Sequence, residues 1–401
     1  MIKIAMLKPH HGPVGGFERV VNRVEGILTG AGYDVTRHTV DLTDTDVVAR
    51  SRRLESLVID TQREFLTYLH GRDRFDGISS GVYDLVISTS PPSYVHRHRA
   101  HLALFFHHHR IFYDLEDTYV DAGFASDPEA HAHAARLVRD LDRDRLGAVS
   151  TFLCPSETVA GRLARFNGRR ETLPFQAGIG VAAEGETVVD AGVAETVGVL
   201  GVTRHEFPKR AELLVAAAHL LDAKIPVTCT GTGGRLAFTR DLDARLSTRE
   251  VTVEALDDAA LWCNTGTPPE RPVAMIGRVD FVGHVSDRRL DELYASARCV
   301  VAPAYDEDYG LTAIEAMHHG RPVIVCRDGG GLAELVDDGE TGLVVEPTPA
   351  AIAAAVIRLH ADDELATRLG RNGRARAAEL SWSRAADQLL TAVEATLDTA
   401  A

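Results

Sequence analysis

The chain has 401 residues, 45% of them hydrophobic, and a formal net charge of -15. Its length exceeds one typical hydrophobic core, so two domains are expected, and the acidic balance excludes a nucleic-acid backbone as partner, which usually needs a basic excess. The five cysteines, Cys154, Cys229, Cys263, Cys299 and Cys326, stand far apart with no C-x-x-C pair, a pattern of small core residues in a reduced cytoplasmic protein and not of a disulfide framework.

Residues 1–7 are too short an apolar run for a signal peptide, and no run approaches a membrane span. Residues 2–7 read instead as a buried strand, followed by a glycine turn, an amphipathic helix and a second strand over 35–40, a βαβ opening. The turn GPVGGF lacks the G-x-G-x-x-G spacing of a dinucleotide fingerprint. Gly15 and Gly16 can serve simply to admit positive φ in a tight turn, and His10 and His11 line the same loop. A helix over 50–69, a strand over 83–88 closed by STSPPS and a strand over 102–106 continue the alternation, which implies a parallel sheet covered on both faces.

The last of these strands runs into His107, His108, His109 and Arg110. Consecutive histidines lack the i, i+4 spacing of a helical metal pair, and their plain reading is a solvated loop. Residues 127–146 read as a helix, 151–154 as a short strand, and PSETVAGRLARFNGRR as a helix with Ser156 as N-cap. Arg162, Arg165, Arg169 and Arg170 near its end complement the dipole as a solvated C-terminus. Peripheral contact with an anionic membrane surface, or with a charged acceptor, is the second reading of these arginines.

Residues 175–192 are glycine-rich and without period, and are expected to link the two domains. A second α/β series follows, with strands over 196–200 and 225–230 and helices over 210–221 and 236–246. GTGGRL is again no dinucleotide fingerprint, since Leu236 stands where the last glycine belongs. The turn GVTRHEFPKR carries Arg204 and Lys209 at the same sheet edge as the later loop at 303–310. Residues 254–278 are irregular, 287–297 helical, and helices over 349–360, 362–380 and from an N-cap at Ser381 close the chain.

Residues 299–347 organise the rest. Residues 299–302 are an apolar strand stopped by Pro303, and 310–319 have helical periodicity ended by Gly320. A strand-to-helix turn of this kind lies at the carboxyl edge of an open α/β sheet and presents free N–H groups to an anion. It is nevertheless loaded with Asp306, Glu307 and Asp308, with Glu315 on the helix beyond. Asp308 is a natural cap for the helix. Capping does not account for Glu315, a carboxylate among apolar neighbours, which is either buried with a partner or directed into a cleft where it can hold adjacent hydroxyls.

Glu307 and Glu315, with DYGLTAI, EAM, HHG and RPVI between and after them and DGG, LAELV, DDG and TGLVV beyond, resemble the signature of family 4 of the retaining GT-B glycosyltransferases. The resemblance implies an α/β GT-B fold: two Rossmann-like domains facing a central cleft, with residues 1–180 binding the acceptor, 193–380 binding the nucleotide sugar, and a terminal helix, 381–401, crossing back to the first domain. It also implies transfer of a hexose from a nucleoside diphosphate sugar to a sugar, lipid-linked or small-molecule hydroxyl acceptor. By position, Glu307 takes the hexose, Glu315 the ribose diol, and Gly310, Leu311 and Thr312 the diphosphate, while the glycine pair Gly15 and Gly16 matches a family loop near donor or acceptor. The family's arginine and lysine clamp the departing diphosphate. Lys209 matches that lysine, but Val202 follows Gly201 where the arginine is usual, so Arg204 substitutes from two residues later. FFHHHRIFYD resembles the family's histidine cluster with one residue missing, and His107 is the best match to its active-site histidine, with His108 and His109 as alternatives. No metal and no cofactor beyond the donor are implied. A sugar phosphorylase, a nucleotide-sugar epimerase and a non-catalytic sugar-binding scaffold stay open as other uses of the same residues.

Overall fold

The structure is a computed structural model that describes residues 1–12, 15–43, 60–179, 196–256 and 277–400. The chain divides into two units, Met1–Gly180 with Trp382–Ala401, and Val181–Ser381. Each is built on one parallel six-stranded sheet flanked by helices.

The first unit contains strands β1 (Lys3–His10), β2 (Asp34–Asp41), β3 (Leu85–Ser88), β4 (His101–Leu104), β5 (Thr151–Cys154) and β6 (Leu173–Pro174), in the order β2-β1-β3-β4-β5-β6. Helices α1 (Gly16–Gly30), α2 (Asp60–Asp76), α3 (Glu116–Asp121), α4 (Pro128–Gly147) and α5 (Glu157–Asn167) connect or cover them. Buried on both faces, β3 and β4 have no exposed position, as expected of central parallel strands. The caps are local: Asp127 accepts from the Ala130 N–H, with Pro128 in the first turn, and the Ser156 hydroxyl accepts from Val159 N–H. The helix expected over 50–69 is observed over Asp60–Asp76, residues 50–59 lying outside the described residues. It continues past 69 because Phe75, in its last turn, is fully buried against Leu7 and Val86.

The second unit contains β7 (Gly198–Val202), β8 (Val227–Thr230), β9 (Val279–Gly283), β10 (Ala297–Ala302), β11 (Val323–Cys326) and β12 (Gly342–Val345), in the order β12-β11-β10-β7-β8-β9. Its helices are α6 (Ala211–Ala218), α7 (Leu236–Ser247), α8 (Asp287–Ser296), α9 (Leu311–His318), α10 (Gly331–Glu334), α11 (Pro349–Ala361) and α12 (Asp363–Glu379). Val199, Val301 and Ile324 from the sheet pack with Val215, Ile352 and Val356 from the helices. The chain then returns to the first unit as α13 (Trp382–Ala400). There Trp382 Nε1 donates to the Ile179 carbonyl at 2.8 Å, and the Thr396 and Thr151 hydroxyls pair at 2.7 Å. Most of the expected linker and of the irregular stretch 254–278 lies outside the described residues.

Strand order reverses between β1 and β3 in the first unit and between β7 and β10 in the second. In open parallel sheets the loops leaving the carboxyl ends at such a reversal diverge and leave a crevice, the usual place for a ligand. Among the described residues no helix is long and apolar enough to cross a membrane.

Candidate functional site

In the second unit the chain leaves β7 through residues 203–210 and β10 through residues 303–310, so both acidic and basic loops emerge at the strand reversal. They are laced together by backbone. Tyr305 N–H donates to the Pro208 carbonyl at 3.0 Å, and the loop after β11 joins them: Asp306 N–H donates to Asp328 O at 2.7 Å, Glu307 N–H to Gly329 O at 2.9 Å, and Gly331 N–H to Glu307 O at 2.7 Å. Three non-glycine residues among those described have positive φ, and two of them, Arg210 and Asp306, are on these loops. Backbone held in that region is maintained only where its surroundings over-determine it.

Arg210 supplies much of that restraint. Its guanidinium donates from Nε to the Pro303 carbonyl at 2.8 Å and forks onto the Asp328 carboxylate at 2.9 and 2.6 Å. One buried side chain thereby fixes the loops after β7, β10 and β11. Lys209, beside it, points elsewhere: its ammonium pairs with the Glu307 carboxylate, both side chains remaining partly exposed. Arg204 is exposed on the same turn, while His205 next to it is buried and its pKa is lowered to about 4, chiefly by burial.

Helix α9 begins from this edge, and its N-cap is Gly310 at φ 106°. The N-cap position thus falls on Gly310, two residues after Asp308. A residue with a side chain is excluded at the cap position on two grounds, the positive φ and the approach of Leu332, whose Cδ1 lies 2.6 Å from where a Cβ would stand. The first N–H groups of a helix have no intrahelical partner, so Gly310, Leu311 and Thr312 form the donor-rich end of α9. The Thr312 hydroxyl also donates to the Val202 carbonyl at 3.3 Å, tying this end to β7. Glu315 lies farther along the helix, and its Oε2 accepts from the Tyr294 hydroxyl at 2.8 Å.

In the first unit, Gly15 is the N-cap of α1 and Gly16 its first residue. Neither has positive φ, which corrects the tight-turn reading: Gly15 is extended at φ -120°, and a Cβ there would meet nothing within 4 Å among the described residues. His107, His108 and His109 follow β4. The reading of all three as solvated is corrected by His108, which is buried, stacked on Tyr113 with ring centroids 4.1 Å apart, and hydrogen-bonded through Nε2 to Asn167 Oδ1 at 2.6 Å. His109 Nε2 lies 3.2 Å from Glu64 Oε2. His107 Nδ1 is 2.6 Å from the His108 carbonyl, and because a carbonyl only accepts, Nδ1 carries a proton. His11 lies in the same group, its side chain exposed and close enough to His109 and His107 to feel their charge.

The solvated-terminus reading of the arginines is also corrected. Arg162 is buried, with Nε 3.3 Å from the Asp114 carboxylate, and Arg169 donates to the Gly147 and Val149 carbonyls. Only Arg165 and Arg170 of the four are exposed. Among the described residues no group of three or more His, Cys, Asp and Glu side chains is arranged to hold a metal ion.

Sequence reasoning missed Arg210 and Tyr294. Both act through partners distant in sequence, Asp328 and Glu315, so neither has a local signal.

Residues 274–376 match the family model described as Glycosyl transferases group 1. A D-inositol 3-phosphate glycosyltransferase of Nocardia farcinica is 37% identical over an alignment of 143 residues that covers 33% of this chain and 32% of that protein. The chain thus spans about a third of the length of the curated relatives it matches. Among solved structures, a sucrose-phosphate synthase of Thermosynechococcus elongatus aligns with a TM-score of 0.68 at 23% identity, covering 98% of each chain. Anabaena HepE in complex with UDP-glucose aligns with a TM-score of 0.65 at 16% identity, covering 98% of this chain and 100% of that one. Two parallel six-stranded sheets and these likenesses establish the GT-B fold, and the chain carries, within its second unit, a domain of the glycosyl transferases group 1 family.

Proposed function

We propose that the protein is a retaining glycosyltransferase that moves a hexose from a nucleoside diphosphate sugar to a hydroxyl acceptor. The observation that carries this reading is the Lys209–Glu307 ion pair at the strand reversal of the second unit, beside the helix end at Gly310. In the reaction the bond from the hexose anomeric carbon to the β-phosphate oxygen breaks, and a bond from that carbon to the acceptor oxygen forms. The acceptor's proton passes to the departing diphosphate. Charge grows on that leaving group, and preorganised donors aimed at developing charge are usually the largest single contribution to such catalysis. Lys209, Arg204 and the N–H groups of Gly310, Leu311 and Thr312 supply them; no metal is required in this scheme. When the donor enters, Lys209 exchanges its carboxylate partner for phosphate, and Glu307 accepts from the hexose hydroxyls.

Glu315 holds the ribose diol. Gly15 and Gly16 let backbone approach the donor or acceptor, and His107 hydrogen-bonds with a sugar hydroxyl. The buried thiols of Cys154, Cys229, Cys299 and Cys326, each pushed up to about 12 mainly by burial, suit a reducing cytoplasm.

The test is a melting-temperature panel with UDP, GDP, ADP and TDP, each with and without a chelator, followed by turnover of the matching sugar nucleotide with candidate acceptors. One nucleotide should stabilise the fold irrespective of chelation. Nucleotide release should require an acceptor, and the product should keep the donor's anomeric configuration by NMR. Dependence on inorganic phosphate would turn the assignment to a phosphorylase, isomerisation without acceptor to an epimerase, and binding without turnover to a scaffold.

A further inference from the structure

Glu315 and His319 are one turn apart on the face of α9 and its C-cap that meets α8. Tyr294, from α8, fits against both. Its ring stacks on His319 with centroids 5.0 Å apart and planes 10° from parallel, and its hydroxyl lies 2.8 Å from Glu315 Oε2. Asp291, one turn earlier on α8, stands 3.4 Å from His319 Nε2. Tyr294 is 1% exposed, so its hydroxyl cannot be satisfied by bulk water and its ring has one place to sit. The direction of the hydrogen bond is fixed by chemistry: an ionised carboxylate only accepts, so the phenol donates. Burial and the nearby Glu315 charge raise the phenol well above its ordinary range, which keeps it a donor at every working pH.

Resting on the donor-site reading above, we propose that Tyr294 is a positioning residue for ribose recognition, holding the Glu315 carboxylate in the orientation that accepts from the ribose hydroxyls. A carboxylate offers about four acceptor positions over two oxygens, and the bond from Tyr294 uses one of them, at Oε2. Losing that bond would remove one restraint on the glutamate's rotamer, and restoring the orientation would become a cost at the moment of binding. Tyr294 lowers that cost in advance, its ring being held by the His319 stack.

The structure favours Tyr294→Phe as the probe, because phenylalanine retains the ring, the stack and the packing and removes only the hydroxyl. The experiment is calorimetric titration of UDP, GDP and ADP, each beside its 2′-deoxy counterpart, into the wild-type protein, Tyr294→Phe and Glu315→Ala, with a melting curve for each variant. For the nucleotide that binds, the wild-type protein should prefer the ribose form. Tyr294→Phe should weaken that form about 5- to 10-fold, in the range of one hydrogen bond to a charged group, while the 2′-deoxy form changes less and the preference shrinks. Glu315→Ala should abolish it. An unchanged preference in Tyr294→Phe, even with a lowered melting temperature, would overturn the proposal and reduce the bond to a tie between helices. No preference in the wild-type protein, or one that survives Glu315→Ala, would instead overturn the assignment of Glu315 to the ribose, and the role of Tyr294 with it.

Discussion

The two units present similar chemistry at the carboxyl edges of similar sheets and use it in opposite ways. At the edge of the second unit the side chains of Lys209 and Glu307, among the described residues, are paired with each other and stay partly exposed, so a ligand can take both partners without unmaking the loops, which are held by backbone and by Arg210. The first unit is rich in histidine, and four of its histidines, His96, His101, His108 and His131, are buried with fixed partners. His101 Nε2 lies 2.8 Å from Ser88 Oγ, His96 bridges the Phe75 carbonyl and Ser80, and His131 meets the Ile111 carbonyl. The Tyr68 and Tyr113 hydroxyls converge on the buried Asp142, whose pKa is raised to about 6 mainly by burial. The lesson is that a cluster of ionisable residues marks a site only where its partners are exchangeable.

The largest expected effect breaks the exchangeable pair. Lys209→Ala should lower kcat by about 10²- to 10³-fold, the loss typical when one preorganised donor to developing charge is removed. Its melting temperature should fall far less than its rate, because backbone hydrogen bonds and Arg210 hold the loops in place. Steady-state rates and melting curves on the same preparation decide the matter. Activity within about threefold of the wild-type value would remove Lys209 from the leaving-group site.

The converse holds for the inward histidines, where stability and not rate should respond. Burial lowers the pKa of His101 from 6.5 to about 3. A base with a depressed pKa is neutral in the fold while the unfolded chain takes up its proton first. The stability from His101 is therefore fully present above pH 6.5 and is lost as pH falls through the window between 6.5 and about 3. Between pH 7.5 and 5 the loss from this one group comes to about 2 kcal/mol. His101→Gln can keep a hydrogen bond to Ser88 without titrating, so urea unfolding at the two pH values should show a smaller acid loss by that amount. Equal losses in both proteins would mean that His101 is not the group that titrates.

The same contrast explains what the sequence disclosed. Parallel strands buried on both faces read as apolar runs, so 151–154 was legible to the residue and β10 to within two. Two parallel α/β sheets were legible because the alternation of strand and helix occurs twice, and the lysine and glutamate loops because each directly follows a strand, whereas the GT-B fold was implied only by the resemblance of the Glu307 to Glu315 stretch to a known family. Illegible were the features that depend on distant residues. Arg162 near the end of a basic helix looks like a solvated cation until Asp114 is brought to it, and His108 looks like its neighbours until Asn167 and Tyr113 close around it. The left-handed turn at Gly310, φ 106°, which sets where the helix starts, has no local signal beyond the glycine itself.

The smallest expected effect on stability concerns Gly15, and it separates what the chain requires from what a ligand requires. At φ -120° any residue is tolerated, and a Cβ meets nothing within 4 Å among the described residues, so the fold itself has no use for glycine there. Two opposing terms follow for Gly15→Ala. Alanine is a poorer N-cap than glycine by a few tenths of a kcal/mol or more, but it restricts the unfolded chain and returns about 0.4–1 kcal/mol. Net stability should stay within about 0.5 kcal/mol of the wild-type protein. If the backbone N–H groups at the start of α1 approach donor or acceptor closely, the added methyl group stands in that path, and kcat/KM should fall about tenfold or more at unchanged stability. Wild-type kcat/KM in a stable Gly15→Ala protein would leave the glycine pair outside the site and confine the recognisable chemistry to the second unit.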